Sequence, residues 1–139
     1  SGPMIDIATE KAARAGLHNI EFSVQSGYSL SFADATFDTC IVANALHVMK
    51  KPDLCLKEIR RVLKPQGLLI APTFCHGETL KARLISIIMG FYGFKAYNRF
   101  TIVAFSDLVE SSGFHILKKQ TLESLIPLEY LVAKPYGES

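Results

Sequence analysis

The sequence lacks most of the features that would assign it at a glance. None of its nine glycines falls in G-x-G-x-x-G, the spacing that lets a backbone close on a dinucleotide, so that fingerprint is excluded. The three cysteines, Cys40, Cys55 and Cys75, are odd in number and show no C-x-x-C spacing. That excludes a disulfide framework or a zinc ribbon and leaves buried reduced thiols, as in a cytoplasmic protein. A net charge of only +2 gives no reason to expect nucleic acid or an anionic membrane as a partner. The longest apolar run, "LISIIMGFYGF" from Leu84 to Phe94, falls well short of the roughly 20 residues a membrane-spanning helix needs. The first twenty residues hold no continuous apolar segment of the kind that marks a secretory signal. Linkers, internal repeats and low-complexity tracts are missing as well.

What is present suits a compact α/β core. The 139 residues are enough for one domain and too few for two. A hydrophobic fraction of 49% with 20% charged residues, and a mean hydropathy of +0.23, is the balance of a chain that buries a core. The expected domain spans 1–139, with Ser1-Gly2-Pro3 before Met4 reading as an expression scar.

Hydrophobic periodicity supplies the order of elements. "MIDIATEKAARAG" reads as a helix, with Ile5, Ala8, Ala12 and Ala13 at helical spacing and Gly16 as its stop. "NIEFSVQ" reads as a short strand and "GYSLSFADAT" as a loop. "FDTCIVANAL" is apolar on both faces, as in the centre of a parallel sheet covered by helices. Pro52-Asp53 opens a helix whose buried stripe is Leu56, Ile59 and Leu63, with Cys55 and Val62 alongside. Lys57, Glu58, Arg60 and Arg61 are expected to face water. "KPQG" ends that helix and "LLIAPTF" is the next strand. Residues 78–94 read as a second helix, and "FSDLVESSG" as a short one capped by Ser106, with Gly113 at its end. "FHILKKQTLE" and "PLEYLVAKP" close the chain as an antiparallel pair at one edge. Strands alternating with helices through short connections indicate a doubly wound α/β sheet.

The stretch "LSFADATFDTCIVANALHVMKKPDLCLKEIRRVLKPQGLLI" resembles the class I methyltransferases that use S-adenosylmethionine, specifically the small-molecule type 11 group that includes the ubiquinone/menaquinone-biosynthesis enzymes. Leu30, Phe32, Phe37, Asp38, Asn44, Leu46, His47 and Leu63-Lys64-Pro65-Gln66-Gly67 carry the likeness, in order and over some forty residues. The closing segments also fit. The resemblance implies a Rossmann-like sheet with strand order 3-2-1-4-5-7-6, and S-adenosylmethionine as cofactor. It also implies methyl transfer to a small, apolar acceptor. On this alignment the glycine loop after the family's first strand, and the acid ending its second, fall outside the chain. The expected fold is therefore an N-terminally truncated sheet without the first two family strands. Its "FDTCIVA" strand becomes an edge, filled by the first strand moving over or by another copy of the chain. A homo-oligomer through that edge is the expected assembly.

By the same resemblance the cofactor contacts fall on Met4, Ser26, Gly27, Tyr28, Asn44 and Ala45. Ser26 stands where the family usually has an aspartate for the adenine amino group. A hydroxyl can accept that hydrogen bond, but without charge. His47 is the one catalytic candidate, as a base or orienting group for the acceptor, and equally reads as a packing histidine. Cys75-His76 with Glu78 has neither nucleophile nor metal spacing, so no metal site is expected. His18 and His115 read as structural. Residues 78–100 can be read as core helix or as a lid over the acceptor, where Gly90 and Gly93 would weaken the helix. Two functional readings stand: a methyltransferase whose activity as this chain alone is doubtful, and a non-catalytic oligomeric module derived from one.

Overall fold

Helix α2 (Pro52–Val62) shows how local sequence sets the architecture. Proline at the first helical position lacks the N–H that would be orphaned there, and Asp53 follows in the first turn. Pro52, Cys55, Leu56, Ile59 and Val62 form the buried stripe, and the chain passes directly into a strand at Leu63. The structure, a computed structural model, describes residues 2–91 and 97–137. In chain order the other elements are α1 (Gly2–Arg14), β1 (Phe37–Ile41), a 3₁₀ turn (Leu46–Val48), β2 (Leu63–Phe74), α3 (Leu80–Phe91), α4 (Ile102–Ser111), β3 (Phe114–Leu122) and β4 (Leu128–Pro135).

The sheet order is β1-β2-β4-β3. β1 and β2 run parallel, as a strand–helix–strand crossover requires, while β4 is antiparallel to both β2 and β3. This is the expected α/β sheet with the antiparallel pair at its C-terminal side. The "KPQG" segment is accommodated as an irregularity. Register passes from Phe37↔Leu63 to Thr39↔Leu68, so residues 64–67 bow out of the ladder, and Lys64 Nζ bridges the bow to Asp38 at 2.7 Å.

One face of the sheet carries the core. Leu69, Ala71, Leu131, Ala133 and Phe114 pack against Leu56 and Ile59 of α2 and Phe105 and Val109 of α4. The opposite face presents Ile41, Ile70 and Val132 in one cross-strand row. Gly113, at φ +95°, turns the chain from α4 into β3 in a conformation that side chains resist, and Arg60 lies flat against it.

Three expectations are corrected. "NIEFSVQ" forms no strand: residues 19–25 make no ladder, and the one bridge nearby joins Ser26 to Ser29. A strand is stable only with a paired neighbour, and none of the described strands flanks this segment. It has not moved over to β1 either, so among the described residues β1 is an edge. Helix α4 begins at Ile102, not at Ser106. Its cap is Thr101, whose Oγ1 accepts from the Ala104 N–H at 3.1 Å, and Glu78 Oε2 accepts from the Ile102 N–H at 2.7 Å. Ser106 is buried inside the helix. Finally, Glu58 and Arg61 do not simply face water. Glu58 Oε1 accepts from Arg61 and from the Leu30 N–H, while Arg61 also reaches Asp34 and the carbonyls of Leu30 and Phe32. This network straps the loop before β1 along α2. Residues 92–96 of the segment read as a possible lid, and Ser1, lie outside the described residues.

Candidate functional site

In open α/β sheets, ligands bind beyond the carboxyl ends of the strands. Here that region is built from the segments that leave β1 and β2. After Ile41 the chain continues alongside β2, with the Val42 and Asn44 N–H groups donating to the Ile70 and Pro72 carbonyls, both at 2.9 Å. Asn44 is exposed and left-handed, at φ +50°, a conformation asparagine tolerates better than most residues. It turns the backbone away from the sheet. Ala45, half-buried, then accepts from the Val48 N–H to start the 3₁₀ turn.

That turn is held from the opposite side. The Asn98 N–H donates to the His47 carbonyl at 3.0 Å, and Asn98 Nδ2 donates to the Met49 carbonyl at 2.6 Å. Beyond β2, Gly77 lets a second segment approach. A Cβ there would stand 2.4 Å from the Arg99 carbonyl oxygen, and the Gly77 N–H donates to the Phe100 carbonyl at 2.8 Å. The segment 98–100 is thus clamped across the ends of both parallel strands.

Between these clamps lie His47 and His76, both almost fully buried, with ring centroids 5.3 Å apart and Phe74 edge-on to each. Burial, with a smaller push from His76, lowers the His47 pKa from 6.5 to about 4. Burial and the Arg99 charge lower that of His76. Both imidazoles are therefore neutral at pH 7. Burial also pushes the thiols of Cys55 and Cys75 up to about 11 and about 12, so neither is a poised nucleophile. Deeper in the sheet Glu129 is fully buried, with Oε2 accepting from Thr121 Oγ1 at 2.6 Å across the β3–β4 pair. No group of three metal-ligating side chains gathers among the described residues.

The six residues expected around a cofactor are only partly brought together. Gly27 packs where an added Cβ would meet Met49 Cε at 2.8 Å and Cys55 Sγ at 3.3 Å. Tyr28 Oη accepts from the Lys51 N–H at 3.4 Å. Both therefore abut the segment that Asn44 and Ala45 lead into. Ser26 is exposed beside them, its Oγ accepting from the Tyr28 N–H at 3.3 Å. Met4 stands apart on α1, 71% exposed. The pairing of His47 with His76 is not evident from the sequence pattern. The available signal is that each comes a few residues after the end of one of two adjacent parallel strands.

The family described as "Methyltransferase domain" (type 11) matches residues 1–71, just over half of the 139. This chain belongs to that methyltransferase family. Its kind is the class I, S-adenosylmethionine-dependent methyltransferase of the type 11 group. Among curated relatives, the ubiquinone/menaquinone biosynthesis C-methyltransferase UbiE of Hydrogenovibrio crunogenus is 26% identical over 132 residues, covering 87% of this chain and 51% of its own. The uncharacterized protein YafE of Escherichia coli is 38% identical over 72 residues, covering 50% and 34%. The methyltransferase chain thus spans about half the length, or less, of the curated relatives it matches.

Solved structures share the fold. A SAM-dependent methyltransferase of Methanosarcina mazei superposes with a TM-score of 0.78 at 23% identity, covering 99% of this chain and 80% of that one. The [4+2]-cyclase SpnF gives 0.81 at 20%, covering 99% and 65%. A cyclase and a methyltransferase on one scaffold is a reminder that this architecture alone fixes no chemistry. A fit of S-adenosylmethionine to the residues present is one-sided. Gly27 and Tyr28 abut residues 49–55, the segment that Asn44 and Ala45 lead into, and these are the residues that would face one end of such a molecule. The sequence has no G-x-G-x-x-G spacing to supply a glycine loop for the other end.

Proposed function

We propose that this chain carries the adenine-side half of an S-adenosylmethionine site and serves methyl transfer to an O, N or C nucleophile of a small apolar molecule. One observation carries the reading: the methyltransferase family match over residues 1–71 contains all six candidate cofactor residues, Met4, Ser26, Gly27, Tyr28, Asn44 and Ala45. When bound, S-adenosylmethionine supplies an electrophilic methyl group on a sulfonium. The protein's part is to align the acceptor with it. Neutral His47 has the protonation state of a base, although its ring is packed inside, so orientation of the neighbouring turn is its more direct effect. The exposed Leu80, Leu84, Ile87 and Ile88 of α3 would suit an apolar acceptor. A cytoplasmic setting fits the reduced thiols. Among the described residues no helix is long and apolar enough to cross a membrane.

The test is a titration with S-adenosylhomocysteine followed by amide NMR. The expected result is saturable shifts at Ser26, Gly27, Tyr28, Asn44 and Ala45 that weaken in Tyr28→Ala and Asn44→Ala. Shifts elsewhere, or variants that bind as well as the parent, would overturn the reading.

A second reading, a non-catalytic module that assembles through the sheet edge, is favoured by Ile41. It lies 68% exposed on β1, and an apolar unpaired edge is a template for another strand. Sedimentation equilibrium decides it: an oligomer that binds no cofactor supports the module, and a monomer removes it.

A further inference from the structure

A cavity of about 590 Å³ opens at the amino ends of the parallel strands, the end of the sheet opposite His47 and Asn44. Its wall is made by Lys57, Arg60 and Arg61 of α2, Gln66 of the bowed "KPQG" segment, Tyr136 just after β4, and the turn at Asp34 and Ala35 before β1. The volume lies within the range of small-molecule sites, roughly 300–1,000 Å³.

The electrostatics of this wall are unusually simple. Arg61 is consumed by Glu58 and Asp34, at 2.7 and 2.6 Å. Lys57 and Arg60 enter none of the ion pairs found among the described residues. A helix carboxyl end would ordinarily repel an anion through its last carbonyls. Here three of the last four carbonyls are already paired. Arg61 O accepts from the Ala35 N–H at 2.9 Å, Val62 O accepts from the Thr36 N–H at 2.8 Å, and Ile59 O accepts from the Leu63 N–H. Ala35 reaches its carbonyl only by taking a left-handed conformation, φ +51°. Arg60 lies over Gly113, its Cδ, Nε and Nη1 atoms in the space a Cβ there would need. Tyr136 is tied by its N–H to the Gly113 carbonyl at 2.9 Å, beside Arg60. Two cations without a carboxylate partner among the described residues thus face a cavity that also offers a tyrosine ring and prolines.

We propose that this cavity binds a small organic anion, a phosphate or carboxylate carried on an apolar or aromatic body. Lys57 and Arg60 hold the charge, and Tyr136 with Pro65 and Pro135 packs the body. A planar guanidinium is suited to either oxyanion. The site is separate from the carboxyl-end site and does not depend on the methyltransferase reading.

The test is an amide NMR titration of the chain with phenyl phosphate, benzoate, inorganic phosphate and phenol at constant ionic strength. Saturable shifts are expected at residues 57–61, Gln66, Tyr136 and Gly137 for the anions and none for phenol. Arg60→Gln and Lys57→Gln, both at exposed positions, should each weaken phenyl phosphate about tenfold, as loss of a charge-assisted hydrogen bond implies. Tyr136→Ala should weaken phenyl phosphate and leave inorganic phosphate unchanged. Stronger response to phosphate than to benzoate, or the reverse, names which oxyanion the site prefers and supports it either way. The proposal fails if the anion shifts do not saturate, if phenol binds as tightly, or if the Arg60 and Lys57 variants bind like the parent.

Discussion

The two edges of this sheet are built on opposite plans. β3 carries Lys118 and Lys119 side by side and a register irregularity between Ile116 and Lys118. Adjacent lysines and a bulge are two ordinary ways to stop a foreign strand from pairing. β1 offers Thr39, Ile41 and Ala43 to the outside, because Val42 and Asn44 spend their N–H groups on β2. No charge guards that row, and its central residue is the isoleucine left 68% exposed. The contrast teaches that β3 is a finished boundary, whereas β1 has the composition of an interior strand and the position of an outer one.

Copying the β3 device onto β1 should have the largest effect. In Ile41→Lys, two lysines would face each other in an antiparallel pairing of β1 with a second copy centred on residue 41. Like charges so placed cost several kcal/mol, so self-association should weaken by at least about a hundredfold. Analytical ultracentrifugation of the two proteins at equal concentration checks this, and an unchanged association constant would move the interface elsewhere.

The strands between the edges set the scale for stability. Leu131 on β4 is fully buried and has neighbours on both sides. Leu131→Ala should cost about 2–5 kcal/mol in denaturant unfolding, the usual loss for a buried leucine that leaves a cavity. Ile41→Lys should cost far less, since the Ile41 side chain is already in water; comparable losses would mean that β1 is covered.

Acid should reach the carboxyl end of the sheet before it reaches either edge. The His47 pKa is about 4 in the fold against 6.5 ordinarily, so the unfolded chain takes up a proton first as pH falls. The stability from keeping it neutral is complete above about pH 6.5 and is lost towards pH 4, about 3 kcal/mol in all. Glu58, held near 2 by Arg61 and the Leu30 N–H, adds a further loss below its ordinary 4.5. Urea melts of the parent and His47→Gln between pH 7 and 4 check the sign: the variant should lose the first part of the slope.

The smallest effect is expected from undoing the β3 guard. Lys118→Thr with Lys119→Thr should leave stability within about 0.5 kcal/mol, as exposed substitutions do, while raising the tendency to associate. A change in melting without a change in association would mean the lysines serve the fold rather than its boundary.

The sequence was most informative where a local signal was sufficient. Pro52-Asp53, the stripe of Leu56, Ile59 and Val62 and the "KPQG" break located α2 and its passage into β2, and the family likeness ran through the same residues. It misled where the outcome depended on a distant partner. "NIEFSVQ" has strand composition and no described strand beside it. Ser106 has the chemistry of a cap, but Thr101 and Glu78 close the helix one turn earlier. Glu58 and Arg61 look like solvent-facing charges until the loop from Leu30 to Asp34 folds onto them. At the candidate site, Asn44, Ala45 and Gly27 could be named from the motif. The His47–His76 pair depends on two strands being neighbours, and spacing in one dimension does not show that.

The most direct test of the account is calorimetric titration of the chain with adenosine and with S-adenosylmethionine under identical conditions. A site that grips only the adenine side predicts the two affinities to agree within about tenfold, because the methionyl end adds little binding energy. S-adenosylmethionine bound a hundredfold or more tighter than adenosine would contradict it, and would mean that this chain, alone or paired, holds both ends of the cofactor.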